Sequence, residues 1–212
     1  MDKKFAIFDL DGTLVDSMSY WSQLAEEYLH SRGVAQVPNH ILEAIKPMTM
    51  EESADLFRRT FGLDITSSHM VAEMEQMMDQ HYRNDIPLKE GVAVYLEQLH
   101  QAGTAMCVAS ATAEPLVELC LSRLGVRHYF QFLLSCETVG VGKTQPDIYL
   151  QAAQRLGCAP ADAAVYEDAV YAAATAKNAG FYIVGVYDQD ASAHWEELQS
   201  LSDETIPSFE EA

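Results

Sequence analysis

The sequence predicts an α/β protein of three layers, a mostly parallel sheet between two sets of helices, with an all-helical segment inserted after the first strand. Three observations carry this. Short apolar runs alternate with helical patterns through most of the chain, the signature of βαβ units and hence of a parallel sheet covered on both faces. The alternation breaks in one block, from about Ser17 to Asp85, which has no convincing strand. The length, 212 residues, suits one α/β domain with a small accessory domain. The expected division is therefore a core of residues 1–16 and 87–212 and a helical domain of residues 17–86.

Taken in order, Phe5 to Asp9 is a short apolar run ending in Asp-Leu-Asp-Gly, which reads as a buried strand followed by a sharp turn. Leu14 to Leu29 then reads as helix. Trp21, Leu24, Ala25, Tyr28 and Leu29 share a helical spacing, and Gly33 is a plausible stop. Further helical stretches are expected near Ile41–Ile45, Glu51–Phe61 and His69–Arg83. Met70, Met74, Met77, Met78 and Tyr82 form a stripe read as core packing, because methionine fills irregular apolar gaps. After this block come strands at Ala105–Ala109, Phe132–Ser135, Ala163–Tyr166 and Tyr182–Val186. Helical faces between them are formed by Val92, Tyr95, Leu96 and Leu99, and by Leu116, Leu119, Cys120 and Leu124. Right-handed crossovers put the carboxyl ends of all these strands on one edge of the sheet.

Composition narrows the function. Thirteen Lys and Arg oppose 32 Asp and Glu, a formal net charge of −19. Such a surface repels nucleic acid and anionic membrane, so neither is expected as a partner. It repels phosphorylated metabolites too, so a site for them needs a local cation, either lysine or metal. Cys107, Cys120, Cys136 and Cys158 form no CxxC and read as free thiols in a reducing compartment. The opening MDKKFAIFDLDG is too polar for a signal peptide. No apolar run approaches the roughly 20 residues of a membrane span. The expected location is cytoplasmic. The seven histidines show no metal-ligand spacing, and His69 and His81 read as surface residues.

Four motifs fall at the ends of four expected strands, the edge where open α/β sheets bind ligands. In Asp9-Leu10-Asp11-Gly12-Thr13, two carboxylates one residue apart leave a strand together. One can serve as nucleophile and metal ligand, the other as general acid/base. Gly12 lets backbone N–H groups approach an anion. The alternative is a hairpin turn, disfavoured because helix, not strand, is expected to follow. Ser110 ends the second strand just before a helix, where a hydroxyl can bind phosphate or simply cap the helix. Lys143 lies in Val141-Gly142-Lys143-Thr144-Gln145-Pro146-Asp147. There it can neutralise phosphate or be a solvated loop charge. A nucleotide-binding P-loop is rejected, since Glu137 stands where that pattern requires glycine. Glu167-Asp168 ends a strand and offers hard oxygen ligands for Mg²⁺, or else caps a helix.

With the strand-end motifs in this order, the chain resembles the haloacid dehalogenase superfamily, in particular its phosphatases and β-phosphoglucomutase-like members. The matching residues are Asp9–Thr13, Ser110, GKTQPDIY at Gly142–Tyr149, and EDAVYAAATAKNAG at Glu167–Gly180. Thr13-Leu14-Val15-Asp16-Ser17 also looks like members whose helical cap follows the first strand. The resemblance implies a Rossmann-like core and a Mg²⁺-dependent phosphatase acting on a small phosphorylated metabolite. It implies that Asp9 forms an aspartyl-phosphate and that Asp11 is the acid/base. Ser110 and Lys143 would hold the phosphoryl group, in a phosphate-binding set of Asp9, Leu10, Asp11, Ser110, Ala111 and Lys143. Asp9, the carbonyl of Asp11, Glu167 and Asp168 would make up the metal set, and the cap would close over the substrate. The sequence departs from the family's usual serine and glycine after the Glu-Asp pair, carrying Ala169 and Ala172. A monomer or weak homodimer is expected.

Three rivals remain at this point. A dehalogenase has no need of the second carboxylate, Asp11. A non-catalytic binding protein on this scaffold would be expected to have lost one of Asp9, Asp11, Lys143 or Asp168. A sugar-phosphate mutase would share every core motif and differ in the cap. β-Phosphoglucomutase-like relatives carry an arginine before an acidic pair and a serine. In Lys46-Pro47-Met48-Thr49-Met50-Glu51-Glu52-Ser53, Met50 takes that place, and a thioether is no anion clamp.

Overall fold

The computed structural model describes residues 3–45, 48 and 50–212. The described chain falls into two compact units, Met1–Met18 with Ile86–Ala212, and Ser19–Asp85.

The larger unit is built on a sheet of six strands. These are β1 (Phe5–Phe8), β2 (Ala105–Ser110), β3 (Phe130–Ser135), β4 (Ala163–Glu167), β5 (Tyr182–Val186) and β6 (Glu204–Ile206). Their order is β3-β2-β1-β4-β5-β6 and every pairing is parallel. The first strand is therefore central. The chain builds outward from it through β2 and β3, then crosses to β4 on the other side, which creates a switch point at β1. Register is flush there: Phe8 lies opposite both Val108 and Tyr166. The strand ends of β1, β2 and β4 consequently stand level.

Strand residues alternate between two cores, as the two-residue period of a strand requires. On one face Ile7, Cys107, Ala109, Val165 and Ile183 pack against helices α8 (Asp147–Leu156), α9 (Val170–Asn178) and α10 (Trp195–Leu201). On the other, Phe8 stacks on Tyr166 with ring centroids 4.1 Å apart. Tyr166 in turn meets Tyr95 of α5 (Val92–Gln101), their hydroxyls 2.9 Å apart. That contact lets two buried phenols keep hydrogen-bond partners. Helix α6 (Glu114–Arg123) packs against β3, and the short α7 (Cys136–Val139) follows β3 directly.

The smaller unit holds α1 (Met18–Ser31), α2 (Asn39–Ile45), α3 (Met50–Phe61) and α4 (Ser67–Asn84). Met70, Met74, Met78 and Tyr82 of α4 are buried, so the stripe is core, with Met77 only partly covered. Thr66 caps α4 by accepting the His69 N–H. Glu73 joins α4 to α1, accepting the Tyr28 hydroxyl at 2.7 Å and pairing with Arg32.

Several expectations need correction. Helix α1 begins at Met18, not Leu14: Leu14 belongs to the turn around the Leu10 carbonyl, and Val15 bridges Asp11 on one side and Leu88 on the other. Ser110 does not abut a helix, since α6 starts at Glu114 behind Ala113. The buried face of α6 is Val117, Cys120 and Leu121, one position off the expected stripe. β6 was not anticipated; its Glu204-Thr205-Ile206 is too short and too polar for an apolar-run criterion. His81 is mostly covered, held by Asp85 at 2.9 Å and Glu27 at 3.1 Å. Burial opposes its charge, but these two carboxylates outweigh that and raise its pKa. All four cysteines are free; Cys107 and Cys120 are buried, and Cys136 and Cys158 partly so. Among the described residues, no helix is long and apolar enough to cross a membrane.

Candidate active site

The site grows from the turn after β1. Asp9 donates its N–H to Tyr166 O at 3.0 Å, the last rung between β1 and β4. The chain then tightens around the carbonyl of Leu10, which accepts the N–H groups of Thr13, Leu14 and Val15. Gly12 makes the turn possible with φ of +76°, a conformation that L side chains avoid. Space demands glycine as well. A Cβ at position 12 would lie 2.4 Å from Oδ2 of Asp168. The absence of a side chain there lets the Asp9 turn and the end of β4 approach each other, and Thr13 adds a 3.2 Å hydrogen bond to Oδ1 of Asp168.

The flush register then delivers three carboxylates together. Asp9, Glu167 and Asp168 are all buried, and one oxygen from each lies within 4.8 Å of the others. Lys143, 134 residues from Asp9 in sequence, enters from the loop before α8. Its ammonium donates to Oδ1 of Asp9 and, at 2.7 Å, to Oε1 of Glu167. It is buried, so the solvated-loop alternative for Lys143 does not hold.

One lysine does not balance three buried carboxylates. Burial pushes the Asp9 pKa well above the usual carboxylate range; Lys143 opposes this, but Glu167, Asp168 and Asp11 reinforce it. Asp168 is pushed up to about 7 by burial and by Glu167 and Asp188. Burial alone would drive Lys143 toward its neutral form, yet Asp9 and Glu167 reverse that and hold it protonated. We read the pair as an ammonium locked between carboxylates in a site that still carries excess negative charge. Oε2 of Glu167 is buried without a hydrogen-bond partner, a costly state for a carboxylate. Convergent hard oxygens, surplus negative charge and an orphaned carboxylate oxygen together fit a divalent cation.

Asp11 stands apart from the acidic trio. Ser17 donates to its Oδ1 and Thr112 to its Oδ2, each at 2.7 Å. Ser110 is buried at the end of β2, and its Oγ accepts the Thr112 N–H at 2.9 Å. A serine oxygen that accepts can still donate its own proton. Ala111 is exposed beside it, while the Leu10 side chain belongs to the core. Of that residue only the backbone can face a ligand.

The motif reading gave no role to Ser17, Thr112 or Tyr149. Tyr149 donates to Oε1 of Glu167 at 2.6 Å from a fully buried position. Ser17 and Thr112 each lie near a motif, and only the fold reveals that both reach Asp11. Lys46, Pro47 and Thr49, which bear on the mutase question, lie outside the described residues; Met50 opens α3. A cleft of about 350 Å³ lies beside Asp16, Lys89, Val186, Asp188 and Phe209. Its lysine is already satisfied by Asp188 at 2.8 Å and by the Tyr187 carbonyl at 2.6 Å.

Residues 6–186 match the haloacid dehalogenase-like hydrolase family. The chain belongs to that family. It is 29% identical over 199 residues to β-phosphoglucomutase of Bacillus subtilis, covering 86% of this chain and 83% of that one. It is 26% identical over 183 residues to the fructose-1-phosphate phosphatase of Escherichia coli, covering 85% and 94%. The fold of this haloacid dehalogenase-like chain is similar to that of CbbY from Rhodobacter sphaeroides, solved in complex with phosphate. The TM-score is 0.75 at 24% identity, over 98% of this chain and 95% of that one.

Proposed function

We propose that this protein is a Mg²⁺-dependent phosphatase that hydrolyses a small phosphorylated metabolite through an aspartyl-phosphate on Asp9. The observation that carries the reading is the ion pair of Asp9 with Lys143 beside a buried acidic cluster at the switch point of the sheet. A lone carboxylate repels a phosphate dianion. Here a buried ammonium touches the nucleophile's own carboxylate and offsets part of the negative field, and a cation held by the acidic cluster would supply the rest.

In this reading Asp9, Glu167, Asp168 and the backbone carbonyl of Asp11 hold the cation. Bound there, Mg²⁺ supplies Lewis-acid stabilisation of charge on the phosphoryl oxygens. Asp9 attacks phosphorus and the bond to the leaving oxygen breaks, while Asp11 gives that oxygen a proton. Asp11 then takes a proton from water as the water attacks the aspartyl-phosphate, which frees Asp9 and inorganic phosphate. Ser110, the backbone around Leu10 and Ala111, and Lys143 orient the phosphoryl group. Hydrolysis is favoured over the mutase reading because Met50 offers no charge to retain a second phosphate.

The test is phosphate release from a panel of phosphorylated metabolites, with Mg²⁺ or with excess chelator. Release is expected with Mg²⁺ only, and Ca²⁺ is expected to inhibit, because it takes more ligands at longer distances. A thermal melt supplies a second readout. At a Mg²⁺ concentration 100 times Kd, stability rises by about 2.7 kcal/mol, or roughly 5–10 °C for a chain of this size. Full activity in chelator would overturn the cation assignment. Conversion of β-glucose 1-phosphate to glucose 6-phosphate, with catalytic glucose 1,6-bisphosphate present and faster than phosphate release, would favour the mutase.

The role of Asp11 has its own test. Asp11→Asn is expected to slow the first chemical step more for alkyl phosphates than for aryl phosphates, whose leaving groups depart without a proton. Hydrolysis of the intermediate slows in both cases. Rapid-quench measurement showing equal loss for the two substrate types in the first step would remove Asp11 from the acid role.

A further inference from the structure

We propose that Tyr149 is a positioning residue of the cation site, acting through Glu167. The inference rests on the reading of Asp9, Glu167 and Asp168 as cation ligands. The two oxygens of the Glu167 carboxylate are treated very differently. Oε1 accepts from the Tyr149 hydroxyl at 2.6 Å and from the Lys143 ammonium at 2.7 Å. An sp² carboxylate oxygen has two lone-pair sites, so these donors fill it. Oε2 is just as buried and has no donor at all.

That asymmetry has a cause in the chain. Lys143 alone cannot fix the carboxylate, because its ammonium is shared with Asp9. An ammonium is also a point-like donor that tolerates rotation of its partner. The phenol is different. Tyr149 sits in the first turn of α8 with its ring packed in the same core cluster as Ile7, Ala109, Val165 and Phe181. A tyrosine has few torsions to spare, and this one is pinned by packing. Its hydroxyl therefore fixes which oxygen of Glu167 is saturated and which is left without a donor. Oε2 is left as the ligand oxygen, turned toward the cation by a residue that does not itself touch the cation. Groups that orient ligands in this way characteristically govern metal affinity.

The experiment is calorimetric titration of Mg²⁺ into chelator-stripped wild type and Tyr149→Phe, followed by activity against Mg²⁺ concentration. The variant loses one oxygen and keeps the ring. Its Mg²⁺ affinity is expected to fall by about 10- to 100-fold. At saturating Mg²⁺, KM for substrate should be unchanged and most of kcat regained, a split that general loosening of the core would not give. In a Glu167→Gln background the same substitution should cost no further Mg²⁺ affinity, since its effect runs through Glu167. Wild type that binds no Mg²⁺ would sink the cation site itself. Wild type that binds while folded Tyr149→Phe binds equally well would sink this proposal alone. A Tyr149→Phe that does not fold in Mg²⁺ would assign the hydroxyl to structure and likewise overturn it.

Discussion

Asp9→Asn is expected to abolish turnover without unfolding the protein. An amide has almost the shape of the carboxylate it replaces but is too poor a nucleophile to attack phosphorus. The expected loss is on the order of 10⁴-fold or more, down to the assay background. Stability should move the other way. The folded, metal-free protein disfavours the Asp9 charge: burial and three neighbouring carboxylates together outweigh Lys143. A neutral side chain there escapes that penalty, so in chelator the variant should melt at or above the wild-type temperature. Added Mg²⁺ should stabilise it less than wild type, since one ligand has lost its charge. Phosphate release above background from the purified variant would end the nucleophile assignment. A melt many degrees below wild type in chelator would contradict the electrostatic account of the site.

Lys143→Met is the complementary case, in which activity and stability are expected to fall together. Methionine keeps the length of the side chain and removes its charge. Asp9 and Glu167 both lose their ammonium, leaving buried carboxylates unopposed. Removing one partner of a buried ion pair typically costs about 3–5 kcal/mol, roughly 6–20 °C in Tm for a chain of this length. Turnover should fall by about 10³-fold, the effect of removing a preorganised charge from a transition state. Mg²⁺ should close part of the stability gap, because a cation in the cluster answers the same surplus charge. Combining Lys143→Met with Asp9→Asn should cost less than the sum of the single changes, as contacting charges do not act independently. Were Lys143 a solvated loop residue, its replacement would cost less than about 0.5 kcal/mol.

Much of this was legible in the chain because the signals are local. Apolar runs locate β1, β2, β4 and β5, since strands buried on both faces need apolar residues nearly throughout. Three of the motifs were legible for the same reason, at the ends of β1, β2 and β4; Lys143 instead lies beyond α7, in the loop before α8. What escaped was decided by contacts distant in sequence. Leu14–Ser17 has helical composition but is held by the bridge from Val15 to the distant Leu88. β6 carries Glu204 and Thr205 at the sheet's edge, where partial exposure relaxes the demand for apolar residues. Thr112 meets Asp11 across 101 residues, and Tyr149 reaches Glu167 of β4 from helix α8. Neither pairing leaves a spacing that can be read along the chain.

The central place of β1 in the sheet has a consequence for how the protein is made. β1, which leads into Asp9, is made before the other five strands, yet both of its sheet neighbours, β2 and β4, emerge far later. Until then it is an apolar segment with open edges on both sides, the kind of surface that invites chaperones or aggregation. Residues 19–85 face no such delay, because they form a compact unit contiguous in sequence and local contacts form fast. On the ribosome this chain is thus expected to show a folded helical segment first, flanked by a strand waiting for partners. Lys143, Glu167 and Asp168 come last. A chain cut short anywhere before β4 would carry Asp9 but no assembled acidic cluster.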